Sequence, residues 1–301
     1  MRSHPASFAR RAACILLAIL VLAIPVNAAG QTVALSGTTG EQTKKMASVF
    51  ETKGYKLPIP GRVSKLAALK SKLNKQIKAY DGTFSIYVKD LKTNEYFMIN
   101  RQQMYAASLV KLYEMGACYQ QIRAGQLSEG ALESEIRKMI VSSDNWCFND
   151  LVGKTGLKYL NNWISTKGYT DTMVRHGCQP ADNGFGEHTV TRYNRTSVRD
   201  CGLFLERVYR GKCVSKAYSK KMLALLKDQS RRTKIPAGVP SGVKVANKTG
   251  ETDDTSHDAA IVFSPGGDYI LVVMVTAPGK GWSKAPEIAK ISEITYKYFN
   301  K

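Results

Sequence analysis

Three short motifs occur in order along the chain and together supply the groups that acyl transfer through a serine requires. They are Ser108-Leu-Val-Lys111, Ser143-Asp144-Asn145 and Lys248-Thr249-Gly250. A serine hydroxyl attacks an amide carbonyl when a neighbouring amine takes its proton, and further hydroxyl, amide and ammonium groups hold the substrate. The motifs therefore predict chemistry that passes through an ester on a serine.

A second Ser-x-x-Lys string occurs in the chain, and local context separates the two copies. Ser241-Gly-Val-Lys244 follows Pro240 and opens an alternating segment typical of a strand, which places its serine and lysine on opposite faces. Ser108 instead begins a run of apolar and small residues typical of a buried helix. Residues three apart share a helix face, so Lys111 can reach the Ser108 hydroxyl, which is the geometry that a base needs.

The Lys-Thr-Gly string also occurs twice. Residues 154–156 end a helical stretch, with Gly156 as the helix stop, whereas residues 248–250 continue a strand that two further strand-like runs follow. An edge strand at the later copy would present backbone amides and the Thr249 hydroxyl to a ligand. The later copy is therefore the functional candidate.

In their order and elements, these motifs resemble those of the class A β-lactamases and of the penicillin-binding proteins that share their fold. The resemblance covers residues 62 to 300, and about a hundred residues separate the second and third motifs, as in that family. It implies that Ser108 is the nucleophile and that Lys111 is its base or proton relay. It also implies that Ser143 passes a proton to the leaving nitrogen.

The same resemblance implies how a substrate is held. Asn145 would bind the substrate's side-chain amide, and Lys248 with Thr249 would bind its carboxylate. Gly250 continues this binding strand. The oxyanion hole would consist of the backbone N–H groups of Ser108 and of Glu251.

One departure from the family concerns the loop that removes the acyl group. Class A enzymes have a glutamate there, in a Glu-Pro-x-x-Asn sequence, and this chain has Gln179-Pro-Ala-Asp-Asn183. An amide can hold a water molecule but cannot take its proton, so general-base assistance of about 10²- to 10⁴-fold is missing. We therefore expect acylation with slow deacylation.

Four other titratable residues lie near this loop and are alternative bases. They are Asp182, Glu187, His176 and His188. A carboxylate on a surface loop is more often solvated, and a single loop histidine is more often structural, so Gln179 remains the position that decides deacylation.

Two further departures concern the shape of the binding site. Ser108 and Ser143 are only 35 residues apart, which shortens one wall of the cleft and predicts an open site. Where the family places a carboxylate-binding arginine after the third motif, this chain has His257. Lys234 falls where other members place an alternative arginine, although it is equally well explained as an exposed lysine.

Five cysteines follow the N-terminal segment, and none has the spacing of a metal site. They are Cys118, Cys147, Cys178, Cys201 and Cys213. The first two lie on the helices that must pack together to form the site. A Cys118–Cys147 disulfide and two separately buried thiols are the two alternatives, and export would permit the disulfide.

The N-terminus predicts export. Residues 1–29 combine three arginines, a short apolar run and small residues placed for cleavage after Ala28 or Ala29, as in a signal peptide. An uncleaved membrane anchor is the alternative. Residues 30–61 have the composition of a linker and N-terminal extension, and residues 62–301 form the predicted hydrolase domain. We therefore expect a secreted or cell-wall-associated protein.

The chain is strongly basic. Its 44 basic and 24 acidic residues give a formal charge of +20, and removal of the first 30 residues, with three arginines and no acid, leaves +17. The basic residues lack the interleaved aromatic residues of a nucleic-acid platform, so no nucleic acid is expected. An anionic cell wall or membrane surface is the predicted partner, and a solvated basic face without a partner is the alternative.

The order of predicted elements indicates an α+β fold. A helix over residues 63–80 precedes a strand pair at 83–88 and 95–99, a helical block at 108–226, three C-terminal strands and a final helix at 286–299. We expect an antiparallel sheet of about five strands flanked by helices, as in the β-lactamase/transpeptidase-like fold. An all-helical subdomain would carry the nucleophile.

The sequence thus predicts an exported serine hydrolase that forms an acyl-enzyme with β-lactams. The alternative is a penicillin-binding protein, either a DD-peptidase acting on acyl-D-Ala-D-Ala peptides or a penicillin sensor. A third possibility is a wall-binding protein without catalysis. We expect a monomer that needs no cofactor and no metal.

Overall fold

The part of the chain that can be described begins just after the predicted linker. The computed structural model describes residues 65–187, 192–277 and 283–301, which belong to one compact unit. The predicted signal peptide, the linker and His188 lie outside these ranges, so their assignments stay predictions.

A five-stranded antiparallel sheet forms the centre of the fold, with the strand order β2-β1-β7-β6-β5. A separate two-stranded sheet pairs β3 with β4. In chain order the strands are β1 (Thr83–Asp90), β2 (Tyr96–Ile99), β3 (Met104–Tyr105), β4 (Arg195–Thr196), β5 (Lys244–Thr252), β6 (Thr255–Phe263) and β7 (Tyr269–Thr276). The sheet confirms the predicted α+β fold with about five antiparallel strands.

Eight α-helices surround this sheet in the described ranges. They are α1 (Ala67–Ile77), α2 (Val110–Arg123), α3 (Glu129–Val141), α4 (Asn145–Thr155), α5 (Leu157–Thr166), α6 (Val198–Tyr209), α7 (Lys216–Lys227) and α8 (Ala285–Phe299). Two short 3₁₀ helices, at Ala107–Leu109 and Ile235–Gly238, precede α2 and β5. None of the helices in these ranges has the length and apolar character needed to cross a membrane.

The sheet separates two hydrophobic cores because successive side chains of a strand point to opposite faces. In the central strand β7, Ile270, Val272 and Met274 face the core formed with helices α2 to α7. The intervening residues, such as Leu271 and Val273, face the core formed with α1 and α8. Burial on both faces explains why β7 reads as a continuous apolar run.

The structure decides between the two alternatives for Cys118 and Cys147. The five cysteines in the described ranges are all free thiols. The Cys118 thiol donates a hydrogen bond to Glu114 Oε1, 3.1 Å away on the same helix, and Cys147 is buried by packing on α4. The helices that carry the first two motifs are thus held together by their apolar faces, and the alternative of two separate thiols is the one observed.

Candidate active site

The predicted nucleophile lies at the entrance of a buried helix. Ser108 occupies the 3₁₀ turn Ala107–Leu109, which continues directly into α2. Ala107, immediately before it, has a φ of 43°, a conformation that costs a non-glycine residue about 1–3 kcal/mol and is found mainly where function requires it. The strained turn lets the chain enter the helix with the serine at its start.

The Lys111 amine lies within hydrogen-bond distance of oxygen atoms from two of the three motifs. Its Nζ lies 3.1 Å from Ser108 Oγ, 2.7 Å from the Ser143 carbonyl oxygen and 2.5 Å from Asn145 Oδ1. The side chain is fully buried. A neutral amine would donate to the carbonyl and amide oxygens and keep its lone pair for the Ser108 proton.

The second motif is shaped by a helix cap. Asp144 caps α4, and its carboxylate accepts a hydrogen bond from the Cys147 backbone N–H at 2.7 Å. Ser143, just before the cap, has a φ of 63°, and Asn145, just after it, is the first residue of α4. The cap therefore places the serine and asparagine side chains beside Lys111.

The third motif lies on the edge strand, as predicted. Lys248 is fully buried on β5, and its Nζ donates to Ser143 Oγ at 2.8 Å and to the Thr249 carbonyl oxygen at 2.9 Å. Ser143 Oγ also lies 3.4 Å from Lys111 Nζ. The Ser143 hydroxyl thus lies between two amines, where it can relay a proton from one to a leaving group.

Burial of the two lysines sets their electrostatics. Loss of water around Lys111 lowers its pKa to about 8, so a substantial fraction is neutral near physiological pH. Burial also lowers the pKa of Lys248 well below its usual value, and the nearby positive charges of Lys111 and Arg231 lower it further. Lowered lysine pKa values in a cleft are typical of amines that take part in proton transfer.

Gly250 allows the edge strand to approach the nucleophile. A Cβ at this position would lie 3.2 Å from the Ala106 carbonyl oxygen and 3.3 Å from the Ser108 backbone nitrogen. Such contacts are tighter than almost all real Cβ contacts, so the position favours glycine. The close approach brings the backbone around Gly250 and Glu251 to the Ser108 N–H, where the predicted oxyanion hole requires them.

A small pocket of about 100 Å³ opens onto these groups. It is lined by Ser108, Ser143, Asn145, Arg231, Thr249 and Glu251. Arg231 was not identified from the sequence as a site residue. It lies in Arg231-Arg-Thr-Lys234, where four polar residues in a row gave no signal for which of them faces the site.

His257 and Lys234, predicted as further carboxylate ligands beside Lys248 and Thr249, do not line the pocket. The imidazole of His257 is buried, accepts a hydrogen bond from the Val275 N–H and donates one to the Tyr105 carbonyl oxygen. Burial lowers its pKa to about 4, so it is a neutral structural group. Lys234 is buried against the carbonyl oxygens of Gly250 and His257, and exposed Arg231, which lines the pocket, replaces both as the carboxylate-binding candidate.

Asn145 joins the catalytic groups to the predicted deacylation loop. Its Nδ2 donates to the Gln179 carbonyl oxygen at 2.9 Å, while its Oδ1 accepts from Lys111. One further N–H of this amide remains for a substrate. Asn183, at the end of the loop, accepts from Asn149 Nδ2 at 3.2 Å and donates to the Trp146 carbonyl oxygen at 3.0 Å.

The side chain of Gln179 does not line the catalytic pocket. It is exposed, and a Cβ on Gly184 would lie 3.2 Å from its Nε2, so the amide packs beside that glycine. Asp182 and Glu187 are exposed and do not line the pocket either.

His176 is not a base for the acyl group. It is buried, its Nδ1 donates to the Gly177 carbonyl oxygen and its Nε2 accepts from the Asn194 N–H. Both ring nitrogens are therefore used inside the loop, and the imidazole has a structural role.

No metal centre is apparent in the described ranges. Residues 65–187, 192–277 and 283–301 contain no group of three or more His, Cys, Asp or Glu side chains arranged to hold a metal ion. The basic side chains at the site are those of Lys111, Lys248 and Arg231.

Comparison with known proteins agrees with this geometry. Two buried amines beside a serine at the start of a helix, next to the edge strand of an antiparallel sheet, are the groups that acyl transfer through a serine requires. A model of the beta-lactamase enzyme family matches residues 68–133 and 129–299, most of the chain. The protein therefore belongs to the β-lactamase enzyme family and is a hydrolase of the serine β-lactamase and penicillin-binding type. No curated protein sequence matches the chain.

Solved structures share the fold at low sequence identity. The β-lactamase of Sphaerobacter thermophilus has a TM-score of 0.69 at 20% identity, over 78% of this chain and 98% of that chain. A penicillin G acyl-enzyme complex of a PBP-A mutant has a TM-score of 0.68 at 21% identity, over 81% and 99% of the two chains. A β-lactamase from Xanthomonas campestris has a TM-score of 0.67 at 18% identity, over 79% and 99%.

Proposed function

We propose that the protein is acylated at Ser108 by β-lactams and releases the acyl group slowly. One observation carries the proposal: the buried Lys111 Nζ lies 3.1 Å from Ser108 Oγ, with its other hydrogen-bond partners supplied by the protein. An amine so placed can deprotonate the serine while staying fixed. The penicillin G acyl-enzyme of the similar PBP-A mutant supports a β-lactam as the acyl donor.

Acylation proceeds by addition and elimination. Neutral Lys111 takes the Ser108 proton as Oγ bonds to the β-lactam carbonyl carbon, and the carbonyl oxygen becomes an oxyanion. The N–H groups of Ser108 and Glu251 bind that oxyanion. The carbonyl then re-forms, the carbon–nitrogen bond breaks, and Ser143 gives its proton to the nitrogen and recovers one from Lys248.

A substrate carboxylate has ready partners in the same pocket. Arg231 and Thr249 line it, and Lys248 lies behind them. Charged hydrogen bonds to a carboxylate contribute about 1.5–3 kcal/mol each. This cluster orients the β-lactam so that its carbonyl reaches Ser108.

Deacylation requires water to attack the ester with a base to take its proton. The side chain at position 179 is an amide. The backbone carbonyl oxygen of Gln179, not this side chain, is hydrogen-bonded to Asn145 of the pocket. We therefore propose that the acyl-enzyme accumulates.

Intact-mass measurement with benzylpenicillin tests the proposal. We expect wild-type protein to gain the mass of one penicillin, with a burst of one acyl group per molecule and slow release. Ser108→Ala should gain none, and Ser241→Ala, which alters the serine of the second Ser-x-x-Lys string, should react like wild type. Labelling of Ser108→Ala would contradict the site, and fast steady turnover of nitrocefin by wild type would contradict slow release.

A second candidate is peptidoglycan peptide chemistry, as a DD-peptidase or penicillin sensor. The observation that favours it is a cavity of about 840 Å³ that shares Glu251 with the catalytic pocket, is also lined by Gln179 and is large enough for a peptide. Release of D-alanine from an acyl-D-Ala-D-Ala peptide distinguishes this activity from β-lactam hydrolysis. Absence of both reactions, together with absence of penicillin labelling, would leave a wall-binding protein without catalysis.

We extend the proposal to location, because peptidoglycan and β-lactams are met outside the cytoplasm. Support comes from the arginines, apolar run and cleavage residues of positions 1–29 and from the charge of +17 that remains after them, which suits an anionic cell wall. N-terminal sequencing of the protein from cell fractions tests this. A first residue after Ala28 or Ala29 is expected, and an intact Met1 in the membrane fraction would indicate the uncleaved anchor instead.

A further inference from the structure

We propose that Lys234 is a positioning residue that strengthens the oxyanion hole by binding the peptide carbonyl behind it. The inference rests on the proposed function, since the oxyanion forms only during acylation of Ser108. It assigns a role to a buried lysine that does not line the catalytic pocket.

The contacts of Lys234 converge on the two strands beside the site. Its Nζ lies 3.3 Å from the Gly250 carbonyl oxygen and 3.1 Å from the His257 carbonyl oxygen. Gly250 and His257 are register partners of β5 and β6. A single ammonium group therefore fastens both strands at the position just before Glu251, whose carboxylate also lies 3.4 Å from Nζ.

The chemical consequence follows from the peptide bond. The Gly250 carbonyl and the Glu251 N–H belong to one planar peptide group, in which resonance couples the oxygen to the nitrogen. A cation at the oxygen draws electron density toward it and makes the N–H a stronger hydrogen-bond donor. That N–H is the one proposed to bind the oxyanion, so Lys234 increases stabilisation of the transition state without touching the substrate.

Lys234 is buried, and the backbone next to it is fixed by hydrogen bonds. It is only 1% exposed. The N–H of the next residue, Ile235, donates to Asp258 Oδ2 at 2.9 Å, and the Ile235 carbonyl oxygen accepts from Ser292 Oγ at 2.8 Å. The cation is thus preorganised, and its effect needs no rearrangement during the reaction.

Direct binding of substrate is the alternative role, and the geometry speaks against it. The residues that line the catalytic pocket include Arg231, Thr249 and Glu251 but not Lys234, which is buried. Lys234 therefore acts on the reaction through the groups that it binds, of which the Gly250–Glu251 peptide carries the oxyanion donor.

Infrared difference spectroscopy of the penicillin acyl-enzyme tests this role, because hydrogen bonds in the oxyanion hole lower the stretching frequency of the ester carbonyl. Lys234→Met should raise that frequency and slow acylation about tenfold, less than the 10²- to 10³-fold cost of removing a whole oxyanion donor. The dissociation constant of the initial penicillin complex should not change. Lys234→Arg, which keeps the positive charge, should have a carbonyl frequency and an acylation rate close to those of wild type.

Lys89→Met is the matched control. Lys89 lies on β1, away from the site, and is also a largely buried lysine, which pairs with Glu206. It should keep the wild-type frequency and acylation rate. The frequency is read only from molecules that have been acylated and are therefore folded, so a loss of stability cannot imitate the expected shift.

Two outcomes overturn different statements. Lys234→Met with the wild-type frequency and rate would overturn the role of Lys234 while the proposed function stands. If that variant does not fold, Lys234→Gln, which keeps a neutral donor, takes its place with the same expectation of a raised frequency. Wild-type protein that forms no acyl-enzyme would overturn the proposed function and this inference with it.

Discussion

Asn145 joins two regions that are built very differently. On one side its carbonyl oxygen binds Lys111, which is buried and fixed by partners from two motifs. On the other side its amide nitrogen binds only the backbone of Gln179, whose side chain is exposed. The groups for forming an acyl-enzyme are preorganised, whereas the predicted deacylation position carries an exposed amide that does not line the catalytic pocket.

The difference between the fixed Lys111 amine and the exposed Gln179 side chain has a physical cause. Buried amines lose hydration, so their pKa values fall and their positions are set by the few oxygens that surround them. A residue on an exposed loop keeps its ordinary solvent contacts and many conformations. Formation and hydrolysis of the ester can therefore be altered separately, and each prediction below acts on one of the two regions.

Lys111→Met is expected to have the largest effect. It removes the base that deprotonates Ser108, so the acylation rate constant should fall by up to about 10⁴-fold. Stopped-flow measurement with a chromogenic cephalosporin gives the constant, and circular dichroism verifies folding. Lys244→Met alters the exposed lysine of the second Ser-x-x-Lys string and should change nothing. An equal loss in both variants would contradict the assignment.

Gln179→Glu should accelerate release of the acyl group. A positioned carboxylate supplies about 10²- to 10⁴-fold, and we expect the lower end because the loop is arranged around an amide. Single-turnover kinetics should show faster deacylation with little change in acylation. Gln126→Glu adds the same charge on a remote exposed loop and serves as the control. No acceleration at position 179 would show that the loop does not bring this side chain to the ester.

The pH dependence of acylation should report Lys111. Its neutral form is the base, and burial lowers its pKa to about 8, so the neutral fraction falls as pH drops below 8. The acylation rate constant should be about a hundredfold lower at pH 6 than on the plateau above pH 8. A rate constant that is flat between pH 6 and 8 would mean that Lys111 is not the base.

Arg231→Gln should affect binding more than chemistry. Loss of one charged hydrogen bond to the substrate carboxylate corresponds to about tenfold weaker binding of penicillin, with the acylation rate constant at saturation nearly unchanged. Arg137→Gln alters an exposed arginine that pairs with Asp228 and should leave binding unchanged. A fall in the saturated rate alone would assign Arg231 to the transition state instead.

The smallest effect is expected from a reducing agent, which should change neither the stability nor the reactivity of the protein. Because Cys118 and Cys147 are free thiols, the packing of their helices does not depend on a bridge. Dithiothreitol should leave the melting temperature and the acylation rate unchanged. Recovery of a Cys118–Cys147 peptide under non-reducing conditions would restore the disulfide hypothesis and attribute part of the rigidity of this region to it.

The sequence by itself determined the features that depend on neighbouring residues. The spacing of Ser108 and Lys111 predicted that they share a helix face. Gly156 was predicted to end a helix, and it does so with a φ of 86°. The third motif was predicted to continue a strand, which lies at the edge of the sheet. Each follows from a backbone period or a conformational preference that acts within a few positions. The same periods gave the α+β class and most element boundaries.

The tertiary structure alone decided which polar side chains face the pocket. Arg231 lines it, whereas Lys234, three residues later, is buried against the Gly250 carbonyl, and His257 is turned toward the backbone of Tyr105 and Val275. The same is true of Cys118, whose thiol meets Glu114 rather than Cys147. Most of these contacts join residues far apart in the chain. Whether a charged or polar side chain is buried depends on the partners that packing brings to it, which no local pattern encodes.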